Sequence, residues 1–103
     1  MISRKKKIIE EYQKRFEKLI EPRLKSILDK EGVTGIDRAQ YRNFVESACK
    51  ELKQRSKEEE AKIITELVEK WTKKGLKKEI LEEIAKLLPY WYKALYPKQL
   101  YIE

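Results

Sequence analysis

The residues of this chain best equipped for chemistry are its cations, and they come in clusters. Arg4, Lys5, Lys6 and Lys7 form an unbroken run, and Lys14, Arg15 and Lys18 follow on the same segment. Lys73, Lys74, Lys77 and Lys78 surround Gly75, and Lys50, Lys53, Arg55 and Lys57 make a further group. Cations grouped in this way contact phosphates without reading bases. Near the C-terminus the stretch YWYKALYPK sets Tyr90, Trp91, Tyr92 and Tyr96 beside lysines. Aromatic rings among cations stack single-stranded bases, or they serve as core and interface residues.

Other chemistries find no footing. Histidine is absent, which removes the commonest general base and metal ligand. Cys49 is alone, so it forms no intramolecular disulfide and cannot build a tetrahedral zinc site. Its neighbours Phe44, Val45, Ala48 and Leu52 recur at helical spacing, which makes it a core thiol. Gly32, Gly35 and Gly75 are scattered, so no glycine loop cradles a phosphate. Glu66 and Glu69 share a helix face on which Mg²⁺ could sit. Lys70 and Lys73 follow at salt-bridge spacing, and an ion-paired, solvated face accounts for them better. The expectation is a protein that is not an enzyme, with no catalytic residue, no metal and no cofactor.

The elements that position these residues are helices. From Glu58 to Leu88 the apolar residues recur every three or four positions on both sides of Gly75: Ala61, Ile63, Ile64, Leu67, Val68 and Trp71 before it, and Leu76, Ile80, Leu81, Ile84, Leu87 and Leu88 after it. Lys73 and Lys74 suit a helix C-terminus, and Gly75 suits the left-handed residue that ends one. An earlier stripe runs Ile8, Ile9, Tyr12, Phe16, Leu19, Ile20, Leu24, Ile27 and Leu28, behind a Ser3 cap. Pro22 interrupts it without shifting its phase, so a helix over 4–30 kinked near Pro22 is expected rather than two short ones. After EGVTGI, Asp37 and Gln40 form a capping box for a helix that turns Ala39, Phe44, Val45, Ala48, Cys49 and Leu52 inward. Tyr41 is expected at its edge.

Between Lys53 and Glu60 no apolar residue occurs. Ser56 with Glu59 is a possible new start, but nothing forces a break, and one helix over 38–74 is the expectation. Pro89 ends or kinks the C-terminal helix over 76–96, and 97–103 forms a short tail with an extended stretch from Gln99 to Ile102. The fold class is therefore all-α, a single domain over 1–103 forming a small irregular antiparallel bundle of three to five helices. A helix-turn-helix around Gly75 fits poorly. The position that should be small holds Trp71, and Glu79, Glu82 and Glu83 on the second helix would repel phosphates.

A chain of 103 residues with 42% charged and 41% hydrophobic side chains encloses a modest core under a densely charged surface. The bias to lysine and glutamate resembles that of heat-tolerant proteins. The net charge of +7 attracts polyanions. No membrane-spanning run and no leader peptide are evident, so a cytoplasmic location is expected. Two functions follow. The first is binding of DNA or RNA through basic helix faces with little base specificity. The alternative is a protein-interaction or assembly subunit, most simply a homodimer, because a helix over 38–74 would span about 55 Å and outrun so small a core. Neither requires a small-molecule substrate.

Overall fold

A computed structural model describes residues 4–55 and 57–96, with side chains from residue 10 onward. The described residues form five helices and no strand, which confirms the all-α reading. Arg4–Arg15, a π turn at Phe16–Ile20 and Glu21–Lys30 run on as one helix, α1. Then come α2 (Ile36–Gln54), α3 (Glu60–Lys73), α4 (Lys78–Ala85) and α5 (Leu88–Leu95).

The π turn is how α1 carries Pro22. Proline has no N–H and crowds the carbonyl one turn earlier. Here the Glu21 N–H bonds the Phe16 carbonyl five residues back, the wider spacing that defines such a turn. The turn also sets the stripe. Phe16, Ile20, Leu24 and Leu28 are buried at steps of four, which outrun an α-helix of 3.6 residues per turn. The wide turn absorbs the surplus. One expected core residue is lost to it: Leu19 swings out and is 46% exposed.

Both interhelix turns that follow α1 and α3 end on a left-handed glycine. Gly32 has φ 70° and Gly75 φ 109°. After α1 the amides of Gly32 and Val33 bond the carbonyls of Asp29 and Leu28; after α3 those of Gly75 and Leu76 bond Thr72 and Trp71. These bonds satisfy carbonyls that the helix ends leave open. The residue after each glycine turns inward, Leu76 into the core and Val33 against it.

The expected helix over 38–74 does not form. It stops at Gln54 and restarts at Glu60. The Arg55 guanidinium meets Glu51 at 3.6 Å, Glu58 at 2.7 Å and Glu66 at 3.0 Å, from both sides of the break. The chain then folds back, so that Trp71 meets Phe44 edge-on with ring centres 5.9 Å apart. With the long helix goes the length argument for a dimer. The C-terminal helix is also divided, since Leu76 and Lys77 belong to the turn and Leu87 caps a second helix with Pro89 in its first turn. Proline is tolerated there because that N–H has no helical partner.

The topology is up-down-up-down. Arg38 bonds Asp29, and Arg42 meets Glu21 at 2.8 Å, which runs α1 antiparallel to α2. Arg55–Glu66 and Phe44–Trp71 do the same for α2 and α3. Arg15 bonds the Ala94 carbonyl and Lys30 meets Glu83, so α4 and α5 run antiparallel to α1. The core between the helices is wholly apolar among the described residues, with Phe44, Val45, Ala48, Cys49, Ile80, Leu81, Ile84, Leu88 and Leu95 all at or near zero exposure.

Further expectations are corrected. Gly35, not Asp37, caps α2, and no side-chain cap bond forms there, so Asp37 and Gln40 make no capping box. Ala39 and Ala61 face outward. Tyr41 is buried, and its hydroxyl accepts the Lys77 N–H at 3.0 Å. The Ser3 cap, a helix start at Ser56 and the extended tail from Gln99 to Ile102 fall outside the described residues.

Gly75→Ala should cost roughly 1–2 kcal/mol from backbone strain alone, because a Cβ there meets no atom within 4 Å. Phe44→Ala should cost about 3–5 kcal/mol through the cavity it leaves. Denaturant midpoints check both, and a Gly75→Ala protein as weak as Phe44→Ala would contradict this account.

Candidate nucleic-acid interface

The sequence-singled cations divide into two groups on the folded protein. Lys14 and Lys18 are exposed on α1, and Arg4, Lys5, Lys6 and Lys7 occupy the first turn of the same helix, their side chains outside the description. Arg15 is diverted: its Nη1 donates to the Ala94 carbonyl at 3.4 Å, docking α1 on the C-terminal end of α5. Lys73, Lys74, Lys77 and Lys78 are exposed around the α3–α4 turn. Lys74 lies over the Trp71 ring, 4.3 Å from its centre. That turn borders a cleft it shares with Glu31, after α1, and Asp37, in the first turn of α2. Thirteen residues of α1 separate Lys18 from Glu31, so the groups sit roughly 20 Å apart along the bundle. The fold does not bring them together.

Some of the carboxylates are taken up in ion pairs. Glu21, Asp29, Glu51, Glu58 and Glu66 bond arginines, while Glu60 and Glu83 meet Lys93 and Lys30. The anticipated pairs Glu66–Lys70 and Glu69–Lys73 do not form; Glu66 turns to Arg55 instead. Among the described residues no carboxylate lies within ion-pair distance of Lys14, Lys18, Lys73, Lys77 or Lys78. Their charge is left facing solvent. No cluster of acidic, cysteine or histidine groups suited to a metal occurs among the described residues either.

Of the four aromatic candidates, three are committed to the fold. Trp91 is 5% exposed and part of the core. The Tyr92 hydroxyl donates to Glu60 at 2.6 Å, and burial, then that bond, pushes its pKa up to about 12. Tyr96 packs on Tyr12 with ring centres 5.5 Å apart, and Lys53 lies 5.0 Å over Tyr96. Only Tyr90, 74% exposed, leaves its ring open among these four.

Two cations that the sequence did not single out share a groove. Arg23 on α1 and Lys86 after α4 line one groove with Ser26, Ile27, Glu83 and Leu87. Neither belongs to a run of cations, so only the pairing of α1 with α4 reveals them. Arg55 was counted with a basic group, but its three carboxylates make it a structural joint. Comparison of the chain with protein-family models, curated proteins and solved structures gave no match. What the fold defines is a five-helix all-α bundle, with exposed lysines on α1 and around the α3–α4 turn.

The buried hydroxyls and the thiol fix the alkaline response. Burial, then Glu46, pushes the Cys49 thiol from 9.0 to about 12. Burial, then Tyr96 and Glu46, raises Tyr12 well above its ordinary 10.0. A raised folded pKa contributes stability that is complete below the unfolded value and fades as pH climbs toward the folded one. The melting temperature should therefore hold to about pH 9 and fall above it. In Cys49→Ala the fall should begin nearer pH 10, where the tyrosines take over. Thermal melts from pH 7 to 11 check this, and an unchanged onset in the variant would refute the assignment to Cys49.

Proposed function

We propose that this protein is a non-enzymatic helical binding protein that associates with nucleic acid through phosphate contacts, with little base specificity. One observation carries the reading: carboxylates that form ion pairs mostly bond the arginines that join helices, while Lys14 and Lys18 of α1 and Lys73, Lys77 and Lys78 of the α3–α4 turn have no ion-pair partner among the described residues. Lysines so placed release counterions from a polyanion, which makes binding steeply salt-dependent. Bound phosphates would also relieve the repulsion of four successive cations at the N-terminus of α1. Gel shifts with single- and double-stranded DNA and RNA at two salt concentrations test the proposal. Affinity should drop by orders of magnitude as salt rises from about 50 to 200 mM. The double variants Lys14→Gln/Lys18→Gln and Lys73→Gln/Lys77→Gln should each lower the salt slope by about two and weaken all sequences alike. Binding indifferent to salt, or none at low salt, would overturn the reading.

A second reading is self-association through the α3–α4 face. A groove of about 530 Å³ between these helices is floored by Ala61, Ile64, Val68 and Ala85. Glu69 rims it on α3, and Lys78, Glu82 and Lys86 on the α4 side, so acids and bases of a second copy could pair across a two-fold axis. Light scattering at low micromolar concentration decides it, since a monomer mass excludes this dimer.

A further inference from the structure

We infer that the groove between α1 and the α4–α5 junction is a binding site for single-stranded nucleic acid, with one base stacked on Tyr90 and the neighbouring phosphates on Arg23 and Lys86. The inference rests on the phosphate-binding reading and gives it a place and a strand preference. Two contacts frame the groove: Arg15 on the Ala94 carbonyl at one end and Lys30 on Glu83 at the other. Between them Arg23, Ser26 and Ile27 face Lys86 and Leu87 across an opening of about 310 Å³. The two contacts run α1 antiparallel to α4 and α5, and Tyr90, four residues after Lys86 and four before Ala94, lies between them on its side of the pairing as Leu19 and Arg23 do on α1. Leu19, one turn before Arg23, is 46% exposed, and Tyr90 is 74% exposed. Two of the three large apolar side chains left open among the described residues thus lie on the stretches between these two contacts.

The charges point the same way. Among the arginines with described side chains, Arg23 is the one that bonds neither a carboxylate nor a carbonyl, whereas Arg15, Arg38, Arg42 and Arg55 all do. Lys86 likewise has no carboxylate partner among the described residues. Glu83, the acid of the groove, is already met by Lys30 at 3.4 Å. An open ring between two uncommitted cations suits a base flanked by phosphates, because stacking accepts any base and the backbone supplies the charge. The opening is at the small end of ligand clefts. A duplex keeps its bases stacked inside and offers Tyr90 only phosphate.

The test measures anisotropy of labelled oligothymidine and of a duplex of equal length, at fixed low salt, with the full chain. The single strand should bind tighter than the duplex. Tyr90→Ala should weaken single-strand binding about tenfold or more and leave the duplex unchanged, while Tyr90→Phe should retain it. Arg23→Gln/Lys86→Gln should lower the single-strand salt slope by about 1.4, with thermal melts confirming that each variant is folded. Wild-type single-strand affinity in Tyr90→Ala, with steep salt dependence intact, would remove this site and leave the phosphate reading standing. Failure of both probes to bind at low salt would remove both.

Discussion

The reversal of the chain between Gln54 and Glu60 is the constraint on which the rest of the bundle depends. Continuing the helix would have kept a few backbone bonds, each worth a net ~0.5–1.5 kcal/mol. It would also have carried Ile63, Leu67 and Val68 into solvent, away from α2. Burying side chains of that size is worth about 1.5–3 kcal/mol each, and α4 and α5 would have lost the surface they pack on. Burial wins by a wide margin. Arg55 does not drive the reversal, because its guanidinium is open to water and exposed ion pairs contribute little. What it does is direct the turn. Its bonds to Glu51, Glu58 and Glu66 can be made together only when α3 folds back beside α2.

This also explains which parts of the fold could be read from sequence. Stripes at three- and four-residue spacing marked α1, α2, α3 and α4 and most of their inward faces, because burial acts on side chains the pattern displays. The break was illegible for the complementary reason. A polar stretch from Lys53 to Glu60 holds the same charged side chains whether it continues a helix or turns, and the deciding energy sits in residues far along the chain. Leu19 was misjudged because a π turn alters the angular step, and only the demand of Pro22 for room hinted at it. Tyr41 was placed at an edge because its hydroxyl is polar. The Lys77 amide that satisfies it comes from a turn 36 residues away.

The surface was less legible than the core. Runs of cations are visible in sequence, but whether each faces solvent depends on what the neighbouring helix presents. Lys73, Lys74, Lys77 and Lys78 were found as a run and remain exposed. Arg15 and Arg55 looked equivalent to them and are instead joints between elements. The aromatic stretch shows the same limit. Tyr90, Trp91, Tyr92 and Tyr96 are neighbours in sequence, yet helical rotation sends Trp91 into the core and only Tyr90 fully outward.

A division of labour between the two basic side chains lies beneath this pattern. Arginine carries a planar fork of donors that can hold two acceptors at once, whereas lysine is a strongly hydrated point charge on a flexible stem. Here Arg38 holds both the Val33 carbonyl and Asp29, fixing the connection after α1. Arg42 bonds Glu21 while lying 5.1 Å from the centre of the Phe16 ring. Arg15 closes α1 on α5, and Arg55 closes α2 on α3. Each helix junction with an arginine thus consumes carboxylates or carbonyls, and acids spent there are not available to neutralise lysines elsewhere. Lys14, Lys18, Lys73, Lys77 and Lys78, by contrast, are exposed and bond no carboxylate among the described residues. Arg23 matters for the same reason: among the arginines with described side chains it is the one whose fork the fold leaves unfilled.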